Sequence, residues 1–243
     1  MANFVLVAGA RLGAWAWDDV VPWLEAAGGH GVYPLTLSGL AERADGAAPV
    51  GRQGHVRDVV DFVERAGLRD VVLVGHSYAG VPVGQAAGLL GERLRRVVFV
   101  DAGVPVDGEP FVAQWPDGGA GVRASLAENG GWWPCAPAAH FEGHGLSPEQ
   151  IARIVAGSTP HPGTTLTEPA VLARPLDELP ATYVLCELGG DEHELDGPVA
   201  ELVKGERWRL AKLDTGHWPM FSRPRELADV LLEAAAVSPA GRE

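Results

Sequence analysis

The ten residues at positions 71–80 read VVLVGHSYAG, and the rest of this 243-residue sequence is best interpreted outward from them. Four consecutive apolar residues, all valine or leucine, predict a buried strand. Ser77 follows closely, with the small residues Ala79 and Gly80 after it and a run that can form a helix at 81–90. A serine on such a sharp strand-to-helix turn needs small neighbours. The turn exposes its hydroxyl beside the first free N–H groups of the helix, which predicts a nucleophilic serine.

Apolar runs and helical periodicity alternate on both sides of this stretch. The alternation predicts an α/β fold with a mainly parallel sheet and helices on both of its faces. Pro34 places the second strand near an edge of the sheet, because proline cannot donate to a neighbouring strand. The predicted strands lie at residues 4–7, 32–35, 71–74, 97–100, 182–186 and 208–213. The predicted helices lie near residues 20–24, 56–63, 81–90, 199–203 and 227–234.

This alternation is interrupted between residues 105 and 180. Eleven of the 19 prolines lie there. One clear helix is predicted within the segment, with Ser147 as its N-cap, Pro148 in its first turn and Gly157 beyond its end. We interpret residues 105–180 as a cap or lid inserted into an α/β core formed by residues 1–104 and 181–243. The whole chain is expected to form a single structural domain.

Charge and cysteine content narrow the classes of partner. The formal net charge is −13, which argues against nucleic acid and anionic membranes because both require a basic surface. The first residues show neither a basic segment nor a long apolar run, so no signal peptide or membrane span is predicted. Two cysteines allow at most one disulfide, which fits a reducing compartment. We expect a cytoplasmic protein that acts on a small molecule, and a homodimer is left open.

The turn at Ser77 resembles the nucleophile elbow of the α/β-hydrolase superfamily, although the last glycine of the common G-x-S-x-G motif is Ala79 here. Other motifs resemble the branch that contains plant methylesterases, hydroxynitrile lyases and their bacterial esterase relatives. These motifs are GAWAW at positions 13–17, LTLSGLAER at 35–43, DAGVP at 101–105 and Gly-His at 216–217. The resemblance covers nearly the whole chain outside the cap and implies a serine hydrolase.

Two departures from that branch bear on the reaction. The histidine that usually follows the first strand is Ala8 here, which changes the entrance to the pocket but keeps the backbone N–H groups. Hydroxynitrile lyases carry a lysine after the catalytic histidine and a hydroxyl residue after the first strand. This sequence has Trp218 and Gly9 at those places. Cleavage of cyanohydrins is therefore not expected.

His217 is predicted to be the base that activates Ser77. A serine hydroxyl is a poor nucleophile near neutral pH, so it requires a base, and the base requires an orienting carboxylate. His217 follows the strand at 208–213, and ligands of open α/β sheets bind at the carboxyl ends of the strands. It also completes the order of serine, acid and histidine that the resemblance implies.

The orienting acid is expected in the loop after the strand at 182–186. Asp191 is favoured because two glycines precede it and form a turn suited to folding its carboxylate back towards the imidazole. One helix and one strand also fit between Asp191 and His217. The alternatives are Glu187, Glu192, Glu194, Asp196 and, at the end of the preceding strand, Asp101.

Acyl transfer also needs donors for the developing oxyanion. The backbone N–H groups of Ala10 and Tyr78 are predicted for this role. Trp132 and Trp133 in the cap, together with Trp218 beside His217, are predicted to form an apolar or aromatic substrate pocket. Packing of the cap onto the sheet would explain these tryptophans equally well. No zinc, phosphate-loop or dinucleotide motif is found, so no metal or organic cofactor is expected.

Three hypotheses of function follow, in decreasing order of support. The first is a cofactor-independent serine hydrolase that cleaves a small carboxylic ester, lactone or thioester through an acyl-enzyme. The second uses the same scaffold for non-hydrolytic chemistry, such as carbon–carbon cleavage, cyclisation or rearrangement of a polyketide-like metabolite. The third is a small-molecule receptor with vestigial hydrolysis.

Overall fold

The computed structural model describes residues 1–44, 50–115, 117–189, 195 and 197–237, and every structural statement below refers to these residues. The strands are β1 Asn3–Val7, β2 Gly31–Leu35, β3 Val71–His76, β4 Leu94–Val100, β5 Trp132–Trp133, β6 His161–Pro162, β7 Ala181–Cys186 and β8 Trp208–Leu213. The helices are α1 Val21–Ala26, α2 Arg52–Arg65, α3 Gly80–Leu90, α4 Ala120–Glu128, α5 Pro148–Gly157, α6 Thr164–Thr167, α7 Gly197–Leu202, α8 Pro219–Ser222 and α9 Pro224–Ala236.

Six strands form one sheet in the order β2-β1-β3-β4-β7-β8, and every neighbouring pair is parallel. The predicted α/β class is thus confirmed. Strand β2 lies at one edge of the sheet. The sequence predicts this from Pro34, because proline has no N–H to donate to a neighbouring strand. Because the strands are parallel, the loops after β1, β3, β4 and β8 all leave the sheet at the same edge. Two of the predicted catalytic residues, Ser77 and His217, lie at this edge.

The central strand β3 is buried on both faces, which explains its uninterrupted apolar sequence. Side chains alternate across a strand, so Val71 and Leu73 pack in one hydrophobic cluster with residues of α2 and α3. Val72 and Val74 pack in the other cluster with residues of α1 and α9. Each fully buried side chain of this kind stabilises the fold by about 1.5–3 kcal/mol. The two clusters fix β3, and therefore the turn that follows it.

Residues 105–180 contain shorter elements, including the antiparallel pair β5 and β6 and helices α4, α5 and α6. Helix α5 begins as predicted: Ser147 is its N-cap, and a reciprocal capping box joins Ser147 and Gln150. Arg153 of α5 forms ion pairs with Asp18 and Asp19, two residues outside the 105–180 segment. The division at residues 104/105 and 180/181 stays a prediction. Across the described ranges, none of the helices combines the length and the apolar character needed to cross a membrane.

Candidate active site

Ser77 occupies the turn between β3 and α3 with a backbone φ of +52°. A non-glycine residue in this left-handed region is strained by about 1–3 kcal/mol, and such strain is retained mainly at functional sites. Two glycines allow the turn. A Cβ on Gly75 would lie 2.4 Å from Val83 Cγ2, and one on Gly80 would lie 2.3 Å from the carbonyl oxygen of Gly103. Gly80 therefore supplies the close approach, which explains why Ala79 is tolerated.

We expect Gly80→Ala to lower the free energy of unfolding by about 1–3 kcal/mol, because the added methyl group meets backbone that cannot move aside. Urea unfolding monitored by tryptophan fluorescence would measure the change. Gly88→Ala is the matched control in the same helix: its Cβ would meet nothing closer than 3.3 Å, so a change of less than about 1 kcal/mol is expected. Equal effects at the two positions would contradict the packing argument.

His217 lies in the loop after β8, and its Nε2 accepts a hydrogen bond from the Ser77 hydroxyl at 2.9 Å. His76, the residue before the serine, holds this loop in place by donating from Nε2 to the carbonyl oxygen of His217 at 2.7 Å. His76 is buried, and burial lowers its pKa well below the usual value, so it stays neutral. The structure thus places the predicted base within reach of the predicted nucleophile.

Asp101 is the carboxylate that meets His217 in the described residues. Its Oδ2 accepts a hydrogen bond from His217 Nδ1 at 2.5 Å, and its Oδ1 accepts one from the N–H of Cys186 at 3.4 Å. It follows β4, the strand next to β3, with a φ of +43° that turns its side chain towards the site. The hydrogen-bond partner of His217 Nδ1 is therefore Asp101, which the sequence favoured less than Asp191.

The favoured acid, Asp191, lies outside the described residues, as do the alternatives Glu192, Glu194 and Asp196. Glu187 is described and does not contact His217. Its Oε2 pairs with Lys212 Nζ at 3.0 Å, and its side chain is 7% exposed. The loop after β7 thus contributes no described partner to the imidazole.

The predicted oxyanion donors, Ala10 and Tyr78, both line the cavity around Ser77. In the loop after β1, the N–H of Arg11 donates to His161 Nδ1 at 3.1 Å, and the N–H of Leu12 donates to the carbonyl oxygen of Gly9 at 3.3 Å. The N–H groups of the two residues that follow Ala10 are therefore already used within the protein. Within the described ranges, the Ala10 N–H and the Tyr78 N–H take no part in the loop hydrogen bonds, as expected for oxyanion donors, and that role stays a prediction.

Two buried histidines support the residues that carry these donors. His161 accepts from Arg11 N–H at Nδ1, so its Nε2 donates to Thr165 Oγ1 at 2.9 Å. His55 donates from Nε2 to the carbonyl oxygen of Ser38 at 2.8 Å, so its Nδ1 accepts from the Tyr78 hydroxyl at 2.9 Å. Burial lowers the pKa of His55 to about 4 and that of His161 well below its usual value. Both imidazoles are therefore neutral, with fixed tautomers.

These buried histidines predict a loss of stability in acid. Unfolded His55 takes up a proton at its usual pKa of 6.5, whereas folded His55 does so only at about 4. The unfolded state therefore binds more protons between these values, and the free energy of unfolding falls as pH decreases, by on the order of 3 kcal/mol for this residue. Urea unfolding at a series of pH values would measure it. His55→Gln keeps a donor and an acceptor but cannot titrate, so its pH slope should be shallower. An unchanged slope would contradict the assignment.

A cavity of about 440 Å³ opens above Ser77, which is large enough for a small organic substrate. Trp133 and Trp218 line it, as predicted, and Trp115 and Phe111 extend the aromatic wall. Trp132 does not line this cavity, and its role in substrate binding stays a prediction. Neighbouring residues of β5 point to opposite sides, and Trp132 lines a separate surface depression with Pro134 and Thr159.

Sequence analysis missed several polar residues of this cavity, among them Arg11, His140 and His144. Arg11 directly follows the predicted donor Ala10, and this neighbourhood could have indicated that it lies in the cavity. His140 and His144 lie in the 105–180 segment, where no periodic pattern predicts which residues face the sheet. His144 packs against Trp218, with ring centroids 4.7 Å apart, and its Nδ1 accepts from the N–H of His217 at 3.4 Å. The segment therefore contacts the catalytic loop directly.

This fold and this arrangement of serine, histidine and acid at the carboxyl ends of parallel strands are typical of one class of enzyme. The chain belongs to the alpha/beta hydrolase family, whose sequence profile matches residues 4–230. The family expected from the sequence motifs, and an enzyme of the α/β-hydrolase type, are thereby confirmed.

Several relatives are named as esterases or hydrolases. The chain is 31% identical over 241 residues to the carbendazim hydrolyzing esterase of Nocardioides, covering 95% of this chain and 98% of the relative. It is 27% identical to methylesterase 7 of Arabidopsis thaliana, covering 96% of each. Among solved structures, an extracellular alpha/beta-hydrolase from a Paenibacillus species matches with a TM-score of 0.79 at 24% identity, over 98% of this chain and 100% of that one. This last similarity supports the fold.

Proposed function

We propose that the protein is a cofactor-independent serine esterase that hydrolyses a small carboxylic ester through an acyl-enzyme. Ser77 is the nucleophile, His217 the general base and acid, and Asp101 the orienting carboxylate. The observation that carries the proposal is the continuous pair of hydrogen bonds from Ser77 Oγ to His217 Nε2 and from His217 Nδ1 to Asp101 Oδ2. The names of the relatives from Nocardioides and Arabidopsis support ester hydrolysis.

The geometry supports the following sequence of steps. Because Asp101 accepts the Nδ1 proton, the lone pair of neutral His217 faces Ser77, and it takes the hydroxyl proton as Oγ attacks the ester carbonyl. The resulting oxyanion is stabilised by the N–H groups of Ala10 and Tyr78. His217 then donates the proton to the departing alkoxide, which leaves an acyl group on Ser77. Water, activated by the same imidazole, releases the carboxylic acid and restores the hydroxyl.

The cavity favours an acyl or alcohol group with an aromatic or apolar part. Phe111, Trp115 and Trp133 form one continuous wall, with centroid distances of 5.7 Å and 5.5 Å between successive rings. Such a wall offers both apolar contact and ring-stacking surface. Lactones and thioesters of similar size present the same carbonyl to Ser77 and belong to the proposed range.

A fluorophosphonate probe followed by mass spectrometry of the labelled peptide tests the proposal. We expect covalent labelling of folded protein at Ser77 and release of p-nitrophenol from p-nitrophenyl esters. Ser77→Ala should abolish labelling, whereas Ser125→Ala, a serine on helix α4 that does not line the cavity, should label normally. Folded protein that neither reacts with the probe nor hydrolyses a small activated ester would reject the proposal and favour non-hydrolytic chemistry or a receptor.

A further inference from the structure

The catalytic cavity lacks the excess of acidic side chains that the protein has as a whole. The chain has a formal net charge of −13, but among the described residues the cavity is lined by one arginine, four histidines and a single carboxylate. That carboxylate, Asp101, is already bonded to His217. Arg11 therefore offers a positive charge that no second carboxylate lining the cavity balances.

Arg11 supplies the fixed charge, and its position is set by three hydrogen bonds to the 105–180 segment. Its N–H donates to His161 Nδ1, its carbonyl oxygen accepts from the N–H of Thr159 at 3.0 Å, and its Nε donates to the carbonyl oxygen of Pro134 at 2.7 Å. Its backbone φ is +70°, another strained value at this site. The guanidinium lies flat on Trp133, 3.4 Å from the ring centroid. The side chain is thus held in one orientation before any ligand binds.

The terminal nitrogens of this guanidinium have no protein acceptor in the part of the chain that the structure describes, and no described Asp or Glu forms an ion pair with it. Burial lowers the pKa of Arg11 to about 10, so it remains protonated at neutral pH. A partly buried charge without a partner is costly to maintain. The planar fork of donors that Arg11 leaves open matches the two oxygens of a carboxylate.

We propose that Arg11 binds a carboxylate on the substrate, so that Ser77 acts on an ester that also carries an anionic group, such as the half-ester of a dicarboxylic acid. This inference rests on the proposed esterase function and names its substrate class. His140 assists: it lines the same cavity, and its pKa is lowered by burial and then by the charge of Arg11. A bound carboxylate would offset that charge and provide His140 with an acceptor.

The test compares two esters of equal chain length, mono-p-nitrophenyl glutarate and p-nitrophenyl pentanoate, which differ by a carboxylate in place of a methyl group. We expect the ratio of their kcat/KM values, anionic to neutral, to fall about 10- to 100-fold in Arg11→Gln, the usual effect of losing a charge-assisted hydrogen bond. Arg11→Lys keeps the charge but not the fork, so its ratio should be intermediate. Arg123→Gln, an exposed arginine on α4, is the matched control and should keep the wild-type ratio. An unchanged ratio in Arg11→Gln would overturn the inference.

A binding measurement separates this inference from the proposed function. In Ser77→Ala protein, monomethyl glutarate should bind more tightly than dimethyl glutarate by calorimetry, and Arg11→Gln in the same background should remove the difference. Arg11-dependent preference for the monoester without any hydrolysis by wild type would reject the esterase and keep the anion site. Hydrolysis by wild type without preference for the anionic ester would keep the esterase and reject the anion site. If Arg11→Gln fails to fold, the comparison of the two methyl esters on Ser77→Ala protein decides alone, because equal affinities overturn the inference.

Discussion

Replacement of Ser77 by alanine is expected to lower kcat for ester hydrolysis by about 10⁶-fold, with the fold unchanged. The expectation follows from the geometry. Among the described residues, Ser77 Oγ is the hydrogen-bond partner of His217 Nε2, at 2.9 Å. Alanine leaves the oxyanion donors and the cavity in place, so a residual rate of about 10³-fold over uncatalysed hydrolysis should remain.

The measurement is steady-state hydrolysis of a p-nitrophenyl ester, with circular dichroism and thermal unfolding to verify the fold. Alanine and serine are strained to a similar degree in the left-handed backbone conformation. The free energy of unfolding of the variant should therefore lie within about 1 kcal/mol of the wild-type value. Ser125→Ala again serves as the control. A Ser77→Ala variant that keeps more than about a hundredth of wild-type kcat would show that the serine is not the nucleophile, and activity that also survives His217→Ala would exclude the site altogether.

Replacement of Asp101 by asparagine is expected to lower kcat by about 10⁴-fold. An amide at this position can donate its N–H₂ to His217 Nδ1, which leaves the proton on Nε2 and turns the base into a donor towards Ser77. Since asparagine has nearly the same size as aspartate, the backbone at φ +43° should be kept. The loss therefore reports the tautomer of the imidazole rather than a collapse of the turn.

Asp191→Asn is the matched comparison, because Asp191 is the acid that the sequence favours. If Asp101 orients His217, Asp191→Asn should change kcat by less than about 10-fold. The opposite result, a large loss in Asp191→Asn with near-normal Asp101→Asn, would assign the role to the loop after β7. Kinetics of both variants, together with the double variant, would decide between the two carboxylates, since residues acting as a unit give strongly non-additive losses.

The elements of the sheet and the nucleophile could be predicted because each has a local signal. Strand β3 is a continuous apolar run, Pro34 marks an edge strand, and a serine between small residues marks the turn. The base was predicted from its place after the strand that the structure has as β8. These inferences require only the order of elements along the chain, because parallel strands bring the loops that follow them to a common edge of the sheet.

The acid and the cavity wall depend on geometry that the sequence does not encode locally. The loops after β4 and β7 leave the same sheet edge, and which carboxylate reaches His217 depends on the left-handed backbone of Asp101, a conformation rarely adopted by non-glycine residues. The position of Trp132 away from this cavity was equally hard to predict. A two-residue strand exposes one tryptophan on each side, and its pairing partner β6 lies almost 30 residues away, so nothing local indicates which side faces Ser77.

The three hydrogen bonds between Arg11 and the 105–180 segment have a consequence for how the enzyme can move. Any displacement of that segment pulls on the peptide beside Ala10, so we expect opening of the cavity to displace the proposed oxyanion donor at the same time. We therefore expect the arrangement described above to be the reactive one, with no activation step triggered by interfaces or effectors. Reaction traces should accordingly be linear from the moment of mixing, and crosslinking the segment to the core should preserve turnover of any substrate small enough to enter through the existing mouth.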